Sequence, residues 1–270
     1  MAEPSSKKQR TQPPYELLYH PGVPGRGEPI RLLLEAAGVP YTDTANQEKN
    51  GYETVQKICM NKALKSDDGN PPVFSPPALR VPGAGKDGKA LVISQTPNIL
   101  SYLGDRTGMA GEEGSEQEKY WVAQLALTAL DLANEVHDSH HPIAVAKYYE
   151  EQKEESKGKS KDIREHRFPK FFSYFQRTLQ GNKERGGAEG KYMVGKQLTY
   201  ADTTIWQVLD GCMFAFPKEM EARKEEFPDL LQGFYGSVKS EKGLKEYLAS
   251  DRRLEYSMGI FRHYPELDRQ

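Results

Sequence analysis

The stretch YELLYHPGVPGRGEPIRLLL, from Tyr15 to Leu34, joins a short apolar strand, a turn crowded with Gly and Pro, and an amphipathic helix. Leu17, Leu18 and Tyr19 read as a short buried strand that Tyr15 begins. Pro29 occupies the first helical turn, where its missing N–H costs no hydrogen bond. Ile30, Leu33, Leu34 and Ala37 recur at helical spacing, and Gly38 with Pro40 ends the helix. VPYTDTA then restarts an extended segment. The result is a strand–helix–strand unit with the compactness of a parallel βαβ.

Beyond it, residues 46–72 are polar and irregular, with one short helix expected from Tyr52 to Met60. PPALRV and KALVIS read as strands joined by PGAGKDGK, whose Asp87-Gly88 pair favours a hairpin turn. SQTPNILSYLGDR opens a helix with Pro97 near its start. The unit amounts to about 90 residues, an ordinary small-domain size. TGMAGEEGSEQ is a composition break and reads as a linker. After it strand signals give way to helices: EKYWVAQLALTALDLANEVH with Trp121, Leu125, Thr128 and Leu132 on one face, then FPKFFSYFQRTL, TYADTTIWQVLDGCMFAF and EKGLKEYLAS. EEQKEESKGKSKD is a charged insertion expected to be a solvated loop or exposed helix end. No internal repeat is visible.

A net charge of −2 over 270 residues calls for neither nucleic acid nor a membrane surface as partner. Cys59 and Cys212, far apart in the chain, suit a reducing compartment better than a disulfide framework. No apolar run approaches the roughly 20 residues of a membrane helix. MAEPSSKKQRTQPP lacks an apolar core and reads as a solvated tail, so a cytoplasmic protein is expected.

In an open α/β sheet, ligands gather at the carboxyl ends of the strands. Tyr19 ends the first strand there, whereas Tyr15 starts it and belongs to the far end. The turn carrying Arg26 and the helix start at SQTPN should approach the same edge, and helix N-termini attract anions. A hydroxyl donor, an arginine and a helix N-terminus suit a small anionic ligand with a group needing a hydrogen bond.

YELLYHPGVPGRGEPIRLLL resembles the start of the cytosolic glutathione S-transferases of the tyrosine type, where a strand-end Tyr precedes a Gly-Arg pair and a helix. PPALRV resembles that family's cis-proline strand. SQTPNILSYLG resembles its Gln-Ser segment and third helix, with Thr96 in place of Ser. LTYADTTIW resembles its capping box, carried by Thr199 and Asp202. The closing YSMGIFRHYPELD and the EVHDSHHP segment are most similar to a fungal branch. The resemblance implies an α/β plus all-α fold: a disordered tail over 1–14, a thioredoxin-like glutathione-binding domain over 15–105, a linker over 106–116 and a C-terminal helical bundle over 117–270. It also implies glutathione as substrate, a small apolar electrophile as acceptor, and a homodimer, with no metal.

The same resemblance distributes the roles. Tyr19 donates its phenolic proton to the glutathione sulfur. Arg26, Gln95 and Thr96 take the γ-glutamyl end; Lys57 falls near the family's glycine-carboxylate lysine and Tyr52 near its usual Trp. Ser75 and Pro76 face the cysteinyl part, with the cis bond expected between Pro76 and Pro77 and the Ser75–Pro76 bond as the alternative register. Pro76 has no N–H to offer, so only its carbonyl serves there. His20, Val23 and His137 line the acceptor site. A free thiol with a pKa of about 8.5 is only a few per cent thiolate at neutral pH. One hydrogen bond to a charged acceptor, about 1.5–3 kcal/mol, lowers that pKa by about one to two units. The alternatives are a non-catalytic ligand-binding or structural member of the fold, and a glutathione-dependent isomerase or peroxidase. His137, His140 and His141 read as a solvated helix end and not as metal ligands, and Cys59 as a partly buried structural thiol.

Overall fold

Tyr15–Leu18 forms β1, and the Gly- and Pro-rich turn after it leads into α1, Glu28–Ala36, with Pro29 in its first turn. Gly38, at φ +63°, and Pro40 close α1 before β2, Tyr41–Asp43. Two short helices follow, α2 over Thr44–Gln47 and α3 over Gly51–Cys59. Then come β3, Ala78–Val81, β4, Leu91–Ser94, and α4, Thr96–Thr107. The remaining helices are α5, Glu116–Asp138; α6, Lys153–Asp162; α7, Phe168–Glu184; α8, Tyr200–Ala215; α9, Pro217–Arg223; α10, Tyr235–Lys239; and α11, Lys242–Leu248. The computed structural model describes residues 15–62 and 69–270; the expected tail over 1–14 and part of the polar excursion, 63–68, lie outside the described residues. The succession is a thioredoxin-like α/β arrangement followed by helices alone.

By packing, the chain divides into two units: one holds the described residues up to Tyr19 with Pro40–Ser94, the other His20–Val39 with Gln95–Gln270. The first unit is the sheet, ordered β2-β1-β3-β4. β1 runs parallel to β2, Leu17 facing Asp43, and antiparallel to β3, Leu18 facing Ala78. β3 pairs antiparallel with β4, Ala78 facing Ser94. The β3–β4 connection turns on Asp87 (φ 56°) and Gly88 (φ +73°), the left-handed pair that a right-twisted hairpin favours. Leu18, Val55, Cys59, Ala78 and Val92 form the core, with Tyr52 and Ile58 packed against it. The α3 periodicity that buries Val55 and Cys59 turns Lys57 to solvent. Asn70 covers the outer strand: its amide donates to the Ala90 carbonyl at 2.9 Å and accepts from the Val92 N–H at 3.0 Å. It thereby satisfies strand groups an edge would expose.

In the second unit α1 packs on α4, α8 and α11. The buried stripe of α5 is Val122, Leu125, Ala126, Ala129, Leu132, Ala133 and Val136. The expected face is therefore corrected: Leu125 and Leu132 point inward, but Trp121 is exposed and Thr128 only half-buried. Small Ala side chains allow α5 and α8 to approach closely, so the contact face centres on them. The charged insertion is not a loop. It contains α6, whose Ser156 and Ser160, four residues apart, are fully buried while its charges face out. α7 contributes Phe168, Phe172 and Phe175 to the helical core, with Phe216 and Phe227 edge-on to the first two.

Candidate active site

At one edge of the sheet the register collects several of the sequence-predicted residues. Leu18 pairs with Ala78 and Ala78 with Ser94, so the ends of β1 and β4 and the start of β3 lie together. Tyr19, immediately after β1, is thus level with Pro77, immediately before β3. Tyr19 is 7% exposed and Tyr15 2%; burial does not distinguish them, but Tyr15 pairs with Tyr41 at the opposite end of the strand. The Pro76–Pro77 bond is cis, the favoured register. Pro76 is buried, and Ser75 beside it is exposed, its hydroxyl 3.4 Å from the Pro76 carbonyl. Lys57 lies on the solvent face of α3, and Tyr52 is half-buried against the sheet core.

The second unit gathers another group. Arg26 sits in a 3-10 turn over Gly25–Gly27, and its carbonyl accepts from the Thr96 hydroxyl at 2.9 Å. Thr96 is buried, the first residue of α4, and Gln95 is the N-cap. Gln95 adopts φ 72°, ψ 119°, a conformation that costs a non-glycine residue about 1–3 kcal/mol and is retained where the surroundings enforce it. Arg26, Gln95 and Thr96 are therefore joined around one helix N-terminus, where backbone N–H groups and the helix dipole favour an anion. On α5, Asn134 accepts from the Arg26 guanidinium at 2.8 Å, a contact with no local sequence signal. His20 and Val23 are half-buried in the turn before Arg26, and burial lowers the His20 pKa.

His137 lies in the last turn of α5, but the histidine group is not the solvated helix end expected. The rings of His137, His140 and His141 lie 4.8–5.0 Å apart, centroid to centroid. His140 is 1% exposed and its Nε2–H donates to the Ile260 carbonyl at 3.0 Å. Burial above all holds it neutral, with its pKa lowered to about 3. Burial also lowers the His137 pKa. Nδ1 of His141 faces the Lys147 carbonyl at 3.1 Å, so these imidazoles act as hydrogen-bonding wedges between α5 and its surroundings. Among the described residues no cluster of His, Cys, Asp or Glu is disposed to hold a metal ion. Cys59 is fully buried and its thiol is pushed up to about 12, which removes it as a nucleophile.

A mixed four-stranded sheet with a cis-proline before its third strand is followed in the chain by helices alone. Residues 137–251 match the family model for the glutathione S-transferase C-terminal domain. Glutathione S-transferase P 1 of Xenopus laevis is 27% identical over 242 residues, 89% of this chain and 94% of that protein. Glutathione S-transferase A4 of Bos taurus is 28% identical, covering 80% of this chain and 78% of the relative. The solved sigma class enzyme of Fasciola hepatica superimposes with a TM-score of 0.62 at 24% identity, over 87% of this chain and 95% of the other, a likeness of fold. The chain is thus similar to glutathione S-transferases along most of its length.

Proposed function

We propose that this chain is a glutathione transferase of the tyrosine type, joining the glutathione thiolate to small apolar electrophiles. The observation that carries the reading is the strained Gln95 at the N-terminus of α4, with Thr96 bonded to the backbone of Arg26. A stability cost of this kind persists where the site needs the geometry, and a helix N-terminus backed by a guanidinium recognises a carboxylate. In this reading the γ-glutamyl end binds Arg26, Gln95 and Thr96, Lys57 the glycine carboxylate, and Ser75 with the Pro76 carbonyl the cysteinyl part. Tyr19 donates its O–H to the sulfur; with a reference pKa near 10 a phenol is a poor base but a good donor. His20, Val23 and His137 line the acceptor side. Residues 15–105 serve as the glutathione-binding domain and 117–270 as the helical one, joined by the linker over 106–116.

The compartment proposed is the cytoplasm, which keeps the free, buried thiols of Cys59 and Cys212 reduced. A homodimer fits the outward apolar side chains: Phe74 is 89% exposed, and Tyr120, Trp121 and Leu127 emerge from α5. Sedimentation equilibrium measures it. The closing YSMGIFRHYPELD segment is the ground for a fungal branch. The deciding assay offers a panel of electrophiles, a peroxide and a cis-enone acid with and without glutathione. Glutathione-dependent conjugation is expected. Turnover of the peroxide or enone alone would make the enzyme a peroxidase or isomerase, and saturable ligand binding without turnover would make it a binding protein.

A further inference from the structure

α5 reaches the turn that carries Arg26 through a side chain that the reading above leaves without a role. Arg26 Nη1 donates to Asn134 Oδ1 at 2.8 Å, across 108 positions of sequence. The Arg26 carbonyl accepts from Thr96 Oγ1 at 2.9 Å. Backbone and side chain of one arginine are thus fixed from two helices, α4 and α5. His137, three residues on from Asn134, belongs to the same face of α5. Among the causes that lower its pKa, after burial, is the positive charge of Arg26, so the guanidinium is within electrostatic reach of that imidazole.

Asn134 is exposed and stands inside a 23-residue helix, about one turn before its C-terminal end. Asparagine is a weak helix former because its amide competes for backbone groups, and here no burial offsets that cost. Its bond to Arg26 supplies the compensation. The chemistry of the acceptor matters too. An amide oxygen orients a guanidinium without placing a formal negative charge beside it, whereas an aspartate at the same distance would form an ion pair.

We propose that Asn134 is a positioning residue for Arg26, aiming its guanidinium at the carboxylate end of the ligand bound at the α4 N-terminus. This rests on the glutathione reading. Asn134 touches no substrate; it acts through Arg26, so its loss should appear in glutathione recognition and not in the chemical step. Asn134→Ala should raise KM for glutathione about three- to ten-fold, the net worth of one hydrogen bond, with kcat and Tm almost unchanged. Asn134→Asp should raise it as well, by pairing with Arg26, and added salt should narrow that difference because exposed charges are screened.

The test is a double-mutant cycle read in KM for glutathione, kcat and Tm: wild type, Asn134→Ala, Arg26→Ala and the double variant. In the Arg26→Ala background, Asn134→Ala should have no further effect on KM. A KM rise of the same size in both backgrounds, or none in the wild-type background, overturns the proposal while leaving transferase activity intact. A wild-type protein without saturable glutathione binding in calorimetry overturns the functional reading, and this inference with it.

Discussion

Tyr19 and Tyr15 separate what is particular to one residue from what both share. They lie four positions apart, Tyr15 opening β1 and Tyr19 standing just after its end, and both are buried. Only Tyr19 stands at the edge shared with Pro77 and Ser94. Tyr19→Phe should lower kcat/KM for conjugation ten-fold or more, about 1.4 kcal/mol of transition-state stabilisation. It should also shift the pH-rate profile upward, because the bound thiol loses its donor; Tyr15→Phe should do neither. Equal losses in the two variants would remove the assignment. The place of Tyr19 at the strand end was legible in sequence because strand, turn and helix are consecutive there. His140 was not, because what buries it is the backbone of Ile260, 120 positions away.

The capping box of α8 is an element-scale feature confined to a few consecutive residues, and it was readable for that reason. The Asp202 carboxylate accepts from the Thr199 N–H at 2.7 Å and from the Met193 N–H at 2.7 Å. Asp202→Ala should destabilise the protein by about 2–4 kcal/mol, combining a lost cap with a buried N–H left unsatisfied, and glutathione KM should stay unchanged in whatever remains folded. Burial dominates these bonds electrostatically and raises the Asp202 pKa to about 6. Between its ordinary value and about 6 the folded state holds the extra proton, so this group's contribution to stability falls as pH rises. His140, lowered to about 3, works in the opposite sense: the unfolded state binds the extra proton, and stability falls as pH drops below about 6.5. The two oppose each other over about pH 4–6. Asp202→Asn leaves His140 unopposed, so urea midpoints measured from pH 6.5 down to about 4.5 should fall more steeply in the variant than in wild type. Parallel profiles would mean Asp202 does not titrate in this window. By contrast, the serine face of α6 escaped the sequence, since a highly charged composition conceals two small inward residues.

At the scale of the whole molecule, the helical unit is tied together by a buried ionic network in which the Glu28–Arg31 pair is local but the links between helices have no local signature. Glu28 opens α1 and is fully buried; it meets Arg31 at 3.1 Å, Tyr247 of α11 at 2.9 Å, and Arg253. Arg253 continues to Asp210 of α8 at 3.1 Å, which also accepts from Tyr235 at 2.6 Å and from Tyr256 at 2.8 Å. Glu28 and Arg253 are 225 positions apart, so periodicity and spacing had nothing to reveal. A buried charge that loses its partner costs about 3–5 kcal/mol, far more than an exposed ion pair contributes. Arg253→Met should fall at the low end of that range, because Arg31 and Tyr247 still hold Glu28. Tyr247→Phe, removing one neutral donor to a carboxylate, should cost about 1.5–3 kcal/mol. If the charge pair is what matters, Glu28→Gln combined with Arg253→Met should be less destabilising than the sum of the single changes, since the Glu28–Arg253 attraction is lost once in the double variant but counted in each single one. Urea unfolding of the four proteins measures the coupling. Strict additivity would show that Arg253 holds the C-terminal segment by packing its stem and not by pairing with Glu28.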